Sequence, residues 1–332
     1  MGKMLTLGEI MLRLSTTVGE RVASSNQFFA HYGGGEANVA ISLANFGHTV
    51  AFASKIPENA LGDGVKQHLQ RYGVECRYLL RGGNRLGTYY VETGIGERAA
   101  QVVYDRKGSS FAEMTKSEWP TEMFEGIDIF HISGITPALS KNWQQTLIEL
   151  VQAAKQAGAK ISLDINFRGK LWTTDEAKQY LKQILPYVDF CSAGKLDAQV
   201  FMDIPAPDKE TDDRYYYDQM NQLYPNIELF YGTHRKVISA SHNILTGRLW
   251  HQGNYVVSQS HIIDPIIDRV GGGDAFAAGV LHGIANQSSD QELIAFATAA
   301  SALKHTVHGD CNLFSATEIN DFIKNGSGKI VR

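Results

Sequence analysis

The sequence has few of the features that mark a secreted or membrane-bound protein. Only three of its 332 residues are cysteines, and they lie far apart, at Cys76, Cys191 and Cys311. An odd number of widely spaced cysteines is typical of reduced thiols and not of a disulfide framework. No apolar run approaches the roughly 20 residues that a membrane-spanning helix requires. The stretch 1–4 lacks the apolar core of a secretory signal, so we expect a soluble cytoplasmic protein with no membrane partner.

An excess of charge of one sign is also missing. The chain has 31 lysines and arginines against 35 aspartates and glutamates, which gives a formal net charge of −4 and an isoelectric point near 6.3. Because the basic residues are scattered, we expect no nucleic-acid-binding surface and no surface for acidic membranes. A chain of this length can bury a large core without disulfides, as one large α/β domain or as two smaller domains.

Common nucleotide and metal motifs are absent as well. No Gly-x-x-x-x-Gly-Lys-Ser/Thr sequence occurs, and no Gly-x-Gly-x-x-Gly follows the first strand, which argues against a P-loop enzyme and a dinucleotide fold. Gly94-Ile95-Gly96 is more typical of a turn than of a phosphate site. His305, His308 and Cys311 stand three residues apart, but they span a predicted helix end and lack a fourth ligand. We therefore expect no metal held by protein ligands.

A glycine-rich segment late in the chain is the most informative feature present. Gly271, Gly272, Gly273 and Asp274 come directly before an apolar helix, predicted from Ala275 to about Ile284. Glycines let backbone N–H groups turn toward an anion, and a helix N-terminus adds its positive dipole end, so the pattern indicates phosphate chemistry. The alternative is a turn that only starts a packed helix, with Asp274 as its N-cap.

A second glycine motif decides between these interpretations. Gly34, Gly35 and Asn38 open an apolar helix near the start of the chain, and together with the late motif they resemble the PfkB/ribokinase superfamily of sugar kinases. A third segment, Asp164-Ile165-Asn166-Phe167-Arg168, followed by Leu171-Trp172, is similar to the branch of 2-keto-3-deoxygluconate kinases. The resemblance runs from Leu5 to about Ile323, which is nearly the whole chain.

The predicted fold follows from periodicity and from this resemblance. Strand-like runs alternate with helical patterns, which favours an α/β fold with a mainly parallel central sheet covered by helices on both faces. Ligands of such folds bind at the carboxyl ends of the strands. The resemblance implies a single ribokinase-like domain over 1–332, with a small β-sheet lid built from about 10–33 and 86–107.

The resemblance also implies how the residues divide the chemistry. Asp274 would act as general base for a sugar hydroxyl, and the N–H groups of Gly271, Gly272 and Gly273 would form an anion hole for the γ-phosphoryl group of ATP. The residues expected to contact the sugar are Gly34, Gly35, Asn38, Tyr89, Tyr104, Arg106, Arg168 and Asp310.

The two arginines in this set bear on the substrate. A guanidinium group can bind a carboxylate through two parallel hydrogen bonds, which a neutral sugar could not reciprocate. The alternative is that Arg106 and Arg168 are ion-pair partners outside the site. Neighbouring strand residues point to opposite faces of a sheet, so only one of Tyr89 and Tyr90 can be the lid tyrosine. The sequence leaves open which of the two it is.

The nucleotide side departs from the superfamily pattern. We expect ATP contacts from Asn166, Ser192, Asp197, Gly232, Gly271 and Gly273, with Mg²⁺ arriving on the phosphates of ATP. Many relatives have Asn-x-x-Glu where this chain has Gly194-Lys195-Leu196-Asp197. Asp197 either keeps the acidic role or is a solvated carboxylate on the helix Lys195–Phe201.

The leading hypothesis is therefore an ATP-dependent kinase that converts 2-keto-3-deoxygluconate to 2-keto-3-deoxy-6-phosphogluconate. One alternative is a PfkB-type kinase for a neutral sugar such as fructose or ribose, and another is a non-catalytic sugar-acid sensor. Because lid edges of this family often pair between subunits, we expect a homodimer or an assembly of dimers. Epimer preference, oligomer size and dependence on monovalent cations stay open.

Overall fold

The computed structural model describes residues 2–207 and 212–326, so the extreme ends of the expected 1–332 domain lie outside it. Its strands, in chain order, are β1 (Lys3–Leu7), β2 (Met11–Ser15), β3 (Phe29–Gly33), β4 (Thr49–Ile56), β5 (Leu79–Arg81), β6 (Thr88–Glu92), β7 (Gln101–Asp105), β8 (Ile129–Ser133), β9 (Lys160–Asp164), β10 (Phe190–Ser192), β11 (Leu229–Ser239), β12 (His242–His251), β13 (Asn254–Val257) and β14 (His261–Ile263). The α-helices are α1 (Gly35–Asn45), α2 (Ala60–Arg71), α3 (Ile135–Ala138), α4 (Lys141–Gln156), α5 (Thr174–Ile184), α6 (Lys195–Phe201), α7 (Arg214–Leu223), α8 (Gly272–Ala285), α9 (Asp290–Lys304) and α10 (Ala316–Asn325).

Ten of the strands form the central sheet. Its order is β13-β12-β11-β10-β9-β8-β1-β4-β5, with β14 paired to β12. Seven neighbouring strands of this sheet run parallel, namely β11, β10, β9, β8, β1, β4 and β5. Strands β12, β13 and β14 add an antiparallel edge. All five residues of β8 are buried, as expected for a parallel strand covered on both faces. The predicted α/β fold with a mainly parallel sheet is confirmed.

The core lies on both faces of this sheet. Alternate residues of β1 point to opposite faces, since Met4 belongs to one hydrophobic cluster and Leu5 and Leu7 belong to the other. Helices α4 to α7 cover the face that contains Leu5, and α1, α2, α8, α9 and α10 cover the face that contains Met4. The helices α1 and α8, which carry the two glycine motifs, therefore lie on the same face.

The other four strands form a separate small sheet with the order β3-β2-β6-β7, called the small sheet below. Arg13 lies opposite His31 on one side and opposite Tyr89 on the other, and Tyr89 lies opposite Tyr104. These four side chains share one face of the small sheet. Tyr90 points to the other face, where its ring packs edge-on against Phe28.

Two residues that sequence analysis selected lie at the carboxyl ends of central strands, since Ser192 ends β10 and Asn166 comes two residues after β9. Asn166 follows β9 with a φ of 41°, a left-handed conformation that asparagine tolerates better than most residues. Within residues 2–207 and 212–326, no helix has both the length and the apolar character needed to cross a membrane.

Candidate functional site

The two glycine-led helices meet at a hydrogen bond between distant residues. Asn38 Nδ2, in α1, donates to Asp274 Oδ2, in α8, over 2.7 Å. A methyl group placed on Gly35 would lie 3.7 Å from Asp274 Oδ1 and 3.9 Å from Asn166 Nδ2. The three motifs that sequence analysis selected therefore come together at one place.

The glycine loop has an open side and a packed side. Gly271 is the N-cap of α8 with a φ of 82°, and a Cβ there would collide with the main-chain oxygen of Asp310. A Cβ on Gly273 would meet no atom within 4 Å, so the backbone of this exposed residue is accessible from outside the protein. Asp274 lies in the first turn and makes no capping hydrogen bond, so the alternative in which it is the N-cap is wrong. Gly272 N donates to Arg269 O over 3.4 Å, whereas the N–H groups of Gly273 and Asp274 have no acceptor among the described residues and can bind an anion at the start of this helix.

The electrostatics of the site leave Asp274 able to take up a proton near neutral pH. Burial raises the pKa of Asp274 from 3.8 to about 7, the hydrogen bond from Asn38 lowers it, and the charge of Asp164 raises it further. Burial likewise raises the pKa of Asp164 to about 6 and that of Glu36 to about 7. A carboxyl group that titrates near the working pH is well matched to general base catalysis.

The small sheet brings one tyrosine to this cluster. Tyr89 is buried, and its hydroxyl donates to Asp310 Oδ2. Its ring stacks on Tyr104 with a centroid distance of 5.7 Å. Since Tyr90 lies on the opposite face, the geometry favours Tyr89 over Tyr90 as the tyrosine beside the cleft.

The two arginines differ in their surroundings. Arg106 is buried, with 9% of the residue exposed. Its Nε donates to Glu9 Oε2 over 2.8 Å, so its guanidinium already has a carboxylate partner. The other oxygen of Glu9 accepts from Ser109 Oγ. Arg168 is exposed and has no carboxylate partner among the described residues; its guanidinium donates only to Phe167 O, at 3.3 Å. The Arg168 guanidinium is therefore free to bind a ligand, whereas Arg106 would have to share its charge with Glu9.

A cleft of about 870 Å³ lies beside the N-terminal end of α6. The four residues predicted for the nucleotide outside the glycine loop all line it: Asn166, Ser192, Asp197 and Gly232. Asp197 Oδ2 accepts from Gly194 N over 2.8 Å, and burial raises the pKa of this carboxyl. Asp197 therefore caps the start of α6 at the cleft wall, where this residue is partly exposed, and its acidic role beside the nucleotide stays a prediction.

Several buried charged residues near the site were not predicted from the sequence. Glu9 pairs with Arg106, and Arg13 forms ion pairs with Asp268 and with Asp310. Arg13 stands in an alternating strand pattern, where a charge is usually read as solvent-facing, and its partners lie far away in the sequence. The sequence contains no local signal for these pairs.

The chain is similar to known carbohydrate kinases over nearly its whole length. The model for "pfkB family carbohydrate kinase" matches residues 1–227 and 245–317. A 2-dehydro-3-deoxygalactonokinase from Haloferax volcanii is 30% identical over 330 residues, which covers 99% of both chains. A solved 2-dehydro-3-deoxygluconokinase from Thermotoga maritima has a TM-score of 0.94 at 36% identity and covers 98% of this chain and 100% of that one. A PfkB family carbohydrate kinase from Listeria grayi has a TM-score of 0.94 at 45% identity, covering 97% and 100%.

Proposed function

Because the chain belongs to the PfkB family of carbohydrate kinases, we propose that it transfers the γ-phosphoryl group of ATP to 2-keto-3-deoxygluconate, which gives 2-keto-3-deoxy-6-phosphogluconate. The observation that carries the proposal is the Asn38–Asp274 hydrogen bond beside the open backbone of Gly273. Asp274 would be the carboxylate that receives the proton of the attacking hydroxyl. The N–H groups of the neighbouring glycine loop would bind the moving phosphoryl group.

Asp274 would be the general base. The terminal hydroxyl of the sugar acid gives its proton to Asp274 while its oxygen bonds to the γ-phosphorus, and the bond from that phosphorus to the β–γ bridging oxygen breaks to release ADP. The N–H groups of Gly271, Gly272 and Gly273 would hold the phosphoryl oxygens as negative charge builds up on them. Asn38 would keep the Asp274 carboxylate oriented toward the hydroxyl.

The substrate class follows from the relatives and from the free guanidinium. Two relatives are named for the galacto and gluco forms of 2-dehydro-3-deoxy sugar acids, the latter being the same compound as 2-keto-3-deoxygluconate. Both substrates carry a carboxylate, which suits the unpaired guanidinium of Arg168. Tyr89, Tyr104, Arg106 and Asp310 would complete the sugar side, together with Gly34, Gly35 and Asn38.

PfkB kinases use ATP, and we place its nucleotide end in the 870 Å³ cleft. Asn166, Ser192 and Gly232 would border the nucleotide there. The amide, hydroxyl and carboxylate oxygens of Asn166, Ser192 and Asp197 are ligand types that suit Mg²⁺ through water. When bound on the phosphates, Mg²⁺ supplies neutralising charge.

A coupled assay of ADP release tests the proposal. The panel contains 2-keto-3-deoxygluconate, its galacto epimer, gluconate, fructose and ribose, each with ATP and Mg²⁺. We expect turnover with the two 2-keto-3-deoxy acids and far less with the neutral sugars. Preferred turnover of fructose or ribose would support the neutral-sugar kinase. Binding of the acids without ADP release would support the sensor.

We also propose that the chain assembles as a homodimer, or as an assembly of dimers, in the cytoplasm. Strands β3 and β7 are the edges of the small sheet, and exposed apolar side chains lie on them, including Phe29 and Val103. Unpaired strand edges with apolar side chains favour association. Light scattering that gives a monomer at micromolar concentration would contradict the dimer.

A further inference from the structure

A buried arginine joins the small sheet to the glycine loop. Arg13, in β2, is only 2% exposed. Its Nη2 lies 2.7 Å from Asp268 Oδ2, and its Nη1 lies 2.6 Å from Asp310 Oδ1. The remaining nitrogen, Nε, donates to Ser15 Oγ over 2.7 Å. Every nitrogen of this guanidinium is thus bound inside the protein, so Arg13 is placed to orient other groups and not to hold substrate.

Asp268 is the point where several segments are fixed to each other. Its Oδ1 accepts from Val270 N, in its own loop, and its Oδ2 accepts from Gly309 N, both over 3.1 Å. Its main-chain oxygen accepts from Lys304 Nζ over 3.0 Å. Since Gly271 follows directly after Val270, the path of the chain into the glycine loop depends on how the Asp268 carboxylate is held.

The cluster balances its own charge. Arg13 pairs with the carboxylates of Asp268 and Asp310, Lys304 donates to the main-chain oxygen of Asp268, and all four side chains are buried. Buried charges keep a fixed geometry when each has an ionic or hydrogen-bonded partner, because the loss of one partner leaves another desolvated and unpaired. The four residues therefore form a rigid junction between the small sheet, the glycine loop and the Gly309–Asp310 segment.

The same junction reaches the sugar side. Asp310 also accepts from the Tyr89 hydroxyl, and its main-chain oxygen packs against Gly271. A shift of the small sheet over the cleft would move Arg13, and with it the Asp268 carboxylate that holds the start of the glycine loop. We infer that Arg13 is a positioning residue that acts through Asp268. It couples the position of the anion-hole loop to the position of the small sheet.

This inference rests on the proposed role of the glycine loop, and its test separates the two. All variants are assayed with ATP and the sugar that the wild-type protein phosphorylates best, whichever that is. Failure of the wild type to phosphorylate a sugar acid would count against the proposed substrate alone. The variants Asp268→Asn, Arg13→Gln, Arg13→Lys and Arg13→Gln/Asp268→Asn report on the junction, with melting curves to establish folding.

Asp268→Asn is the most informative variant, because Asn is isosteric and leaves the Arg13–Asp310 pair in place. We expect kcat to fall at least about tenfold, since misplacement of groups around the reacting atoms by about 1 Å can cost about a hundredfold. The KM values for ATP and for the sugar should stay near those of the wild type. Arg13→Gln should lower kcat similarly and raise the KM for the sugar, because it also frees Asp310.

Two further comparisons distinguish positioning from a general structural effect. If Arg13 acts through Asp268, the double variant should be no slower than the slower single variant, because the second change removes nothing more. Arg13→Lys keeps the charge but loses the planar guanidinium that pairs with two carboxylates at once. Its kcat should therefore lie between those of Arg13→Gln and the wild type.

The matched control is Arg98→Gln, which removes an ion pair to Glu92 on the same sheet. It should leave kcat unchanged. The inference is overturned if folded Asp268→Asn keeps a kcat within about twofold of the wild type, a change too small for displaced reacting groups. Multiplying losses in the double variant, or an equal loss in Arg98→Gln, would overturn it as well. If Arg13→Gln does not fold, Asp268→Asn and Arg13→Lys still decide the question.

Discussion

Asn38 and Asp274 are separated by 236 positions in the sequence, and a 2.7 Å hydrogen bond joins their side chains. The bond links the first turn of α1 to the first turn of α8, so the two helix N-termini are fixed relative to each other. It also tunes the carboxyl group electrostatically, because a donor that faces a carboxylate stabilises the ionised form.

The pH dependence of turnover should report this bond. A general base works only when ionised, so kcat should fall as the pH drops through the pKa of Asp274, which is about 7. Asn38→Ala removes a contact that lowers this pKa, so the acid limb of the kcat profile should move to higher pH. Asn45→Ala, on the same helix but bonded to Asn312 O, is the control and should leave the limb in place. A limb that stays fixed or moves to lower pH in Asn38→Ala would contradict the assignment.

Two glycines of the loop should respond differently to alanine. Gly271→Ala places a Cβ at a φ of 82° and into the main chain of Asp310, so both the melting temperature and kcat should fall. Gly273→Ala has room for its Cβ, so the protein should melt at or slightly above the wild-type temperature. Its new methyl group would border the phosphoryl path, so kcat should still fall. Wild-type kcat in Gly273→Ala would argue against an anion hole at this loop.

Arg168 is expected to select for the carboxylate of the substrate. Arg168→Ala removes an exposed guanidinium without a carboxylate partner among the described residues, so folding should be unaffected. The KM for a 2-keto-3-deoxy acid should rise at least about tenfold, in line with the loss of a charge-assisted hydrogen bond of about 1.5–3 kcal/mol. Any turnover of a neutral sugar should change little. Equal effects on acid and neutral sugars would contradict this role.

Arg106 should differ from Arg168 in its effect on stability. Arg106→Ala leaves the Glu9 carboxylate buried without its cation, a change that typically costs about 3–5 kcal/mol. Chemical denaturation should show this loss in addition to any rise in KM. Arg85→Ala is the control, because its ion pair with Asp105 is largely exposed and should contribute little to stability. Equal stability of the Arg106 and Arg85 variants would contradict the importance of the Glu9 pair.

The ionised Asp274 carboxylate should lower the stability of the folded protein above pH 7. Its pKa is raised from 3.8 to about 7 in the folded protein, so the folded state binds this proton more tightly than the unfolded state does. The contribution of this group to stability therefore falls as the pH rises from about 4 to 7, and the penalty is complete above pH 7. Asp274→Asn should raise the melting temperature at pH 8 and change it little at pH 4. A lower melting temperature at pH 8 would contradict this linkage.

Local signals in the sequence were sufficient for the mainly parallel α/β fold class and for the glycine motifs, whereas the small sheet was predicted from the family resemblance. Glycines directly before an apolar helix predict an anion-binding N-terminus because the backbone geometry is local, and Gly271 and Gly273 lie at such a start. The alternation of strands and helices likewise predicts a parallel sheet, which orders its ligand-binding segments along one edge.

Pairings between distant residues could not be predicted in this way. Arg13 and Asp310 are 297 positions apart, and nothing near either residue identifies the other as its partner. Tyr89 and Tyr90 are neighbours of the same type, so only the register of β6 against β7 shows which one faces Tyr104. For Arg106 the missing information was the position of Glu9, which lies in the short segment between β1 and β2.

Turnover of Asp274→Asn tests most directly whether this carboxylate takes the proton. The variant keeps the shape of the side chain and removes its basicity, so kcat with 2-keto-3-deoxygluconate and ATP at pH 8 should fall by at least about a hundredfold, the usual range for a lost general base. Calorimetry should still show ATP binding with an affinity close to that of the wild type. Near-wild-type kcat in a folded Asp274→Asn protein would contradict the assignment of Asp274 as the base.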